Sequence, residues 1–163
     1  RERNRSSAGD APGICGAETI AGVRLEVLHP CLGPRGPDPE LSVNDNSLVL
    51  RLTYGATSFL LPGDLSREGE ARLLASGAAL AADVLVLGHH GSDSSSSPGF
   101  LDAVRPALAI ASVGRDNRYG FPRPGVVSSL SRRGARLYRT DRDGGIRIVS
   151  DGARISVSAA RGR

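Results

Sequence analysis

Three side chains in this 163-residue chain are of a type, and at positions, that could hold a metal ion: Asp64, His89 and His90. Asp64 closes the run F-L-L-P-G-D, and the histidine pair closes A-D-V-L-V-L-G-H-H-G-S. Each follows an apolar stretch that reads as a strand, and each has glycine beside it, at Gly63 and at Gly88 and Gly91. In a layered α/β domain, neighbouring strands deliver their ends to one edge of the sheet. A carboxylate and an imidazole brought to that edge can share a cation, because zinc and manganese both accept N and O donors. Taken singly, each signal has a plainer reading. A Gly-Asp after a strand commonly forms a turn or a helix cap, and adjacent histidines can be a hydrogen-bonded loop pair. The chain has only three His, however, and two of them stand together at a strand end.

The elements that must position these ends can be followed along the chain. Val23 to Leu28 alternates V-R-L-E-V-L, the period of a half-buried strand. His29-Pro30 ends it, and the Gly- and Pro-rich stretch through Pro39 is a surface loop. Asn46 to Thr53 and Thr57 to Leu61 read as an antiparallel hairpin turned at Tyr54-Gly55-Ala56. Ser66 can cap a helix running through Ser76, with Glu68 and Glu70 near its positive end. Asp83 to Leu87 is a short apolar strand of the kind buried on both faces. Gly88 to Ser97 is a glycine- and serine-rich loop, and Pro98 suits the first turn of a helix through Val104. Ala107 to Ser112 is another buried strand, and after a loop to Pro124 a helix covers Gly125 to Arg133. Arg136 to Thr140 and Gly145 to Ser150 flank Asp143-Gly144, a hairpin signal. Asp151-Gly152 then turns the chain into a last short strand, Ile155 to Val157. The sum is a mixed α/β domain over residues 23–158, preceded by a polar segment, 1–22, that reads as an edge or loop.

Composition bounds the rest. The length suits one domain. Hydrophobic residues make up 39%, enough for a core, while aromatics are 4% with no Trp, so small aliphatic side chains must fill it. No apolar stretch nears the roughly 18–20 residues that span a bilayer, and no signal peptide opens the chain. The chain has no Met and begins R-E-R-N-R-S-S, so it reads as a piece of a longer protein. Every basic residue is Arg. Residues 1–104 hold 8 Arg against 13 acids, a balance of −5, and residues 105–163 hold 13 against 4, a balance of +9. A cationic half suits a polyanion such as nucleic acid, and equally suits a solvated surface. Cys15 and Cys31 fit either one disulfide or two free thiols, and their spacing is not that of a zinc knuckle.

Four segments then carry a resemblance. N-D-N-S-L-V-L-R-L-T-Y-G, F-L-L-P-G-D, A-D-V-L-V-L-G-H-H-G-S-D-S-S-S-S and D-N-R-Y-G-F-P-R-P, in that order, resemble the metallo-β-lactamase-like domain of the ComEC family of DNA-internalisation competence proteins. The similarity runs from Val23 to Gly152. It implies an αββα sandwich, of which this chain is the C-terminal part, with one or two divalent ions, Zn or Mn, at one edge. By that resemblance Asp64 is the metal-bridging carboxylate, and either His89 or His90 is a ligand with the other behind it or touching substrate. Asp64 and His90 are thereby the catalytic pair. Asn46 and Ser47 match a turn leading into a strand below the site, and Gly63 and Gly91 shape its borders. Ser92 and the run Ser94–Ser97 shape a loop over the metals, with Ser92 reaching substrate; a flexible loop is the plainer reading of most of these serines. Arg115, Arg118 and Arg123, on the loop opposite the site, are candidates for gripping a phosphate backbone.

The same resemblance implies a metal-dependent phosphodiester hydrolase acting on DNA, single-stranded by expectation, in a bacterial inner-membrane protein. This domain would lie outside the cytoplasm and a membrane channel on the N-terminal side. Two departures qualify it. The family's H-x-H-x-D-H motif is absent, so this chain alone should bind metal weakly and turn over little substrate. The family's Y-G-H-P reads Tyr119-Gly120-Phe121-Pro122 here, and Phe can neither ligate nor donate a proton. Two other readings stand beside it: a hydrolase of the same superfamily acting on a non-nucleic substrate, and a degenerate module for DNA binding or assembly. A half-sandwich also exposes a sheet face, from which poor solubility of the isolated chain is expected.

Overall fold

The computed structural model describes residues 15–31 and 37–161. Seven strands form one mixed sheet in sequence order: β1 (Gly16–Ile20), β2 (Val23–His29), β3 (Val49–Tyr54), β4 (Thr57–Leu61), β5 (Val84–Val86), β6 (Leu108–Ala111) and β7 (Arg136–Arg139). β1 to β4 pair antiparallel, and β4 to β7 pair parallel. Parallel neighbours need crossover connections, which are the helices α1 (Arg67–Ala75), α2 (Pro98–Val104) and α3 (Pro124–Arg132). A short helix, α4 (Thr140–Asp143), leads to a separate hairpin of β8 (Ile146–Ser150) and β9 (Ile155–Ala159). The mixed α/β class expected from the element order is the observed one. Among the described residues no helix is long and apolar enough to cross a membrane.

The helices share one face of the sheet. Leu60, Leu85 and Ala109 pack there against Leu73 of α1, Phe100 and Leu101 of α2, and Leu130 of α3, all with almost no exposed surface. On the other face, Val84, Ile110 and Tyr138 meet Ile146, Ile148, Ile155 and Val157 of the β8–β9 hairpin. Register puts Leu25, Val27, Leu50 and Leu52 on that second face too, where all four are only partly buried.

Four expectations are corrected. The segment before Val23, expected as edge or loop, contains a paired strand at Gly16–Ile20. All five of its residues are exposed, so no burial pattern marks it. What makes it is the turn Ala21-Gly22, with φ of 50° and 83°, the two-residue geometry of a tight hairpin. Residues 1–14 of the same segment lie outside the described residues. Asp143-Gly144 is not a hairpin: α4 occupies Thr140–Asp143, β7 pairs with β6, and β8 pairs with β9 around Asp151-Gly152. The strand expected at Asn46–Thr53 starts at Val49, because Asn44–Asn46 form a 3-10 turn. Ser66 does stand at the N-cap of α1, but its side chain makes no cap bond; Asp45 instead accepts from Ser66 N and Gly69 N at 3.1 and 2.9 Å.

Cys15 and Cys31, for which the sequence allows either state, form a disulfide spanning a separation of 16 residues that ties the start of β1 to the end of β2. Closing a loop of that size restricts the unfolded chain by about 3 kcal/mol. Reduction is therefore expected to lower the thermal midpoint by several degrees, read by melting with and without a reductant.

Candidate metal centre

β4, β5 and β6 are parallel neighbours, so their C-terminal ends meet at one edge, where α/β sheets place ligands. Asp64 follows β4, His89 and His90 follow β5, and Ser112 follows β6. Asp64 Oδ1 lies 3.9 Å from His90 Nε2, and the two side chains are 49% and 52% exposed. His90 Nδ1 is 2.8 Å from the Ser112 carbonyl oxygen. A carbonyl only accepts, so Nδ1 carries a proton, and in the neutral form of the ring the Nε2 lone pair faces Asp64. Two acceptors facing each other make a place for a cation. Zinc–oxygen and zinc–nitrogen bonds are roughly 2.0–2.2 Å, so one ion can reach both atoms. Among the described residues, no group of three or more His, Cys, Asp or Glu is placed to hold a metal ion. The chain thus supplies a matched pair of donors and not a full set.

The two histidines have different neighbours. His89 is held from three sides. Its amide donates to Gly63 O at 3.0 Å, its Nδ1 hydrogen-bonds the Ser94 hydroxyl at 3.3 Å, and its ring meets Phe121 edge-on at 5.9 Å. Of the two, His90 is the one paired with Asp64. The turn that presents them is strained, since His89 and His90 have φ of 47° and 58°. Left-handed non-glycine residues cost about 1–2 kcal/mol each, and such strain concentrates at functional sites. Gly91 continues the turn at φ +85°, and a Cβ there would stand 2.6 Å from Pro122 Cβ.

Asp64 is positioned from below. Its amide donates to Ser47 Oγ at 3.0 Å. Gly63 has φ +59°, and a Cβ at that position would stand 3.1 Å from Ser47 Cβ. Asn46 stitches the preceding loop, donating to Asp38 O, Leu41 O and Ser42 O and accepting from Asp38 N. Ser47→Ala removes the bond to the Asp64 amide, so a loss of about 1 kcal/mol in unfolding free energy is expected, measured by denaturant titration.

The remaining residues singled out from the sequence divide. Ser92 is buried, and its hydroxyl accepts from Ser94 N within its own loop. Arg118 and Arg123 border the site, each over an aromatic ring, and Arg123 also lies 3.9 Å from Asp93. Arg115 is exposed on the same loop. Three further residues carry no signal of their role in the sequence. Ser112 fixes the His90 tautomer through its backbone carbonyl, which no side-chain type announces. Asp45 anchors α1. Glu70, expected only to favour the start of α1, is buried and accepts from the amides of Ser96 and Ser97. Burial pushes its carboxyl up, against those bonds and the Arg67 charge.

No family model matches the chain. It is 43% identical over 115 residues to ComE operon protein 3 of Bacillus subtilis, covering 71% of this chain and 15% of that protein. It is 42% identical over 115 residues to competence protein ComA of Neisseria gonorrhoeae, covering 69% and 17%. Recombination protein 2 of Haemophilus influenzae matches at 36% over 121 residues, covering 72% and 15%. The match thus spans about one-sixth of the length of these curated relatives. Their shared segment includes most of this chain, and by sequence the chain is related to the ComEC-type competence proteins.

Proposed function

We propose that this chain forms one side of a metal-dependent phosphodiester hydrolase centre in a ComEC-like DNA-uptake protein, where it cuts or trims DNA during natural transformation. The observation that carries the reading is the pairing of Asp64 Oδ1 with a His90 Nε2 whose other nitrogen is fixed by Ser112 O. A divalent ion bound there, Zn or Mn, would supply a water of lowered pKa and offset charge on the phosphate oxygens. Asp64 and His90 would hold it from two strand ends, Ser112 would keep the His90 proton on Nδ1, and Ser47 would keep Asp64 in place. The other ligands would come from elsewhere in the longer protein, in keeping with the small share of the relatives that the chain spans. The αββα sandwich is proposed on the same footing. Helices cover one face of the sheet, while the second face is only partly covered by β8–β9. A position outside the cytoplasm in an inner-membrane protein fits the Cys15–Cys31 disulfide, since such bonds persist in oxidising compartments.

Phe121 favours a second reading. It stands against His89 and supplies neither ligand nor proton, as in a module that binds DNA without cutting it. One experiment separates the two. The complete protein is incubated with a labelled single-stranded oligonucleotide and Mn²⁺ or Zn²⁺, with and without chelator. The first reading predicts metal-dependent cleavage; binding with no cleavage under either metal would leave the second.

A further inference from the structure

Beside the two donors, the loop between β6 and α3 carries an aromatic pair that no metal chemistry uses. Tyr119 and Phe121 stack with centroids 5.6 Å apart and planes 18° apart. Tyr119 is 55% exposed. Guanidinium groups attend both rings. Arg118 lies 5.0 Å from the Tyr119 centroid and donates to its hydroxyl at 2.8 Å, and Arg123 lies 5.5 Å from the Phe121 centroid. A cavity of about 210 Å³ opens here, lined by both rings together with His90, Val113 and Gly114. It is smaller than the roughly 300–1,000 Å³ of drug-sized sites, so it suits one planar ring system rather than a whole nucleotide. Two of the polar groups at its wall are already bonded within the chain. Asn117 is committed to the Phe121 amide and carbonyl, and the Ser112 carbonyl is taken by His90. What the cavity offers is chiefly π surface, with the Arg118 and Arg123 guanidiniums beside its two rings rather than in its wall.

We propose that this cavity is a nucleobase subsite: an unpaired base of a single strand stacks on the Tyr119–Phe121 pair while Arg118 and Arg123 meet its flanking phosphates. The subsite rests on the DNA-processing reading above and adds a place on this chain where the strand is held. Aromatic platforms beside cationic side chains hold single strands with little base preference, and Arg over a ring adds a cation–π attraction. A base must leave its pair to enter, so duplex DNA is disfavoured by geometry. His90 lines the cavity and also faces Asp64, so a stacked base places an adjoining phosphate next to the metal ligands. The Phe in place of a ligand at position 121 then has a use of its own, as the inner plate of the stack.

The test needs no catalysis. Binding of the full chain to a fluorescent oligothymidylate is compared, in chelator, with binding to an abasic deoxyribose-phosphate strand of the same length and charge. The expected result is about tenfold tighter binding of the thymidylate. Tyr119→Ala should remove that difference and leave the abasic affinity unchanged, while Tyr119→Phe should keep it. Tyr119 is exposed, so its truncation leaves the core intact. Equal binding of the two strands, or an unchanged preference in Tyr119→Ala, overturns the subsite and leaves the DNA reading standing. No binding to either strand overturns both.

Discussion

Asp64→Ala in the complete protein is expected to lower Mn²⁺- or Zn²⁺-supported DNA cleavage by on the order of a hundredfold or more, with folding unchanged. Residues that merely orient a metal ligand already cost about 10–100-fold when removed, and Asp64 is proposed as a ligand itself. Its side chain is half exposed, and its carboxylate faces His90 at 3.9 Å. Truncation therefore removes no core contact, and the melting temperature should stay within about a degree of the parent, as for other surface changes. Asp64→Asn should fall nearly as far, because an amide keeps the shape and loses the charge. Cleavage that is equal in the parent and Asp64→Ala would remove this carboxylate from the mechanism. The readout is single-turnover cleavage of an end-labelled strand, set beside circular dichroism of both proteins.

The second large effect is structural. Asp45 is 6% exposed and accepts from Ser42 Oγ at 2.6 Å, Ser66 N at 3.1 Å and Gly69 N at 2.9 Å. It thereby satisfies amides at the start of α1 that the helix cannot. Asp45→Ala strands all three donors, so a loss of about 3 kcal/mol is expected in denaturant titration. The pH dependence has a definite sign. Burial pushes this carboxyl up, but the bonds from Ser42, Gly69 and Ser66 outweigh it and hold the folded-state value below the ordinary range. Its stabilisation is therefore full above the unfolded carboxylate value, about pH 4, and is lost as the pH falls through the lowered folded-state value. Asp45→Asn, which keeps an oxygen acceptor but cannot titrate, should flatten that acid limb of the stability curve. An acid limb identical in the parent and Asp45→Asn would assign it to other carboxylates.

How far the sequence can be read depends on where each signal lives. The strands that carry large aliphatic side chains, β2 to β6, are legible because burial on one or both faces leaves a pattern of period two or a continuous apolar run. β1 has no buried residue, so only its turn could announce it. The Asp143-Gly144 dipeptide has turn chemistry, but its neighbours pair elsewhere: β7 is claimed by β6 and β8 by β9, a tertiary choice that a local signal cannot make. Asp64 and the histidines are legible as strand-end donors. That His90 and not His89 faces the carboxylate is decided by the Ser112 carbonyl, a backbone atom that exists at every residue. Asp45 and Glu70 look like ordinary charges in the sequence. Their role comes from chain segments 21 to 27 residues away folding back onto them.

The central claim is that Asp64 and His90 share a divalent ion, and it can be met directly in solution. Substoichiometric Mn²⁺ added to the isotope-labelled chain broadens signals close to the bound ion. Loss is expected first for the His90 ring and for the amides of Gly63, Asp64 and Gly91, and this selective loss should vanish in Asp64→Asn. Broadening centred on other carboxylates, or no selective broadening at any Mn²⁺ level, would contradict the account.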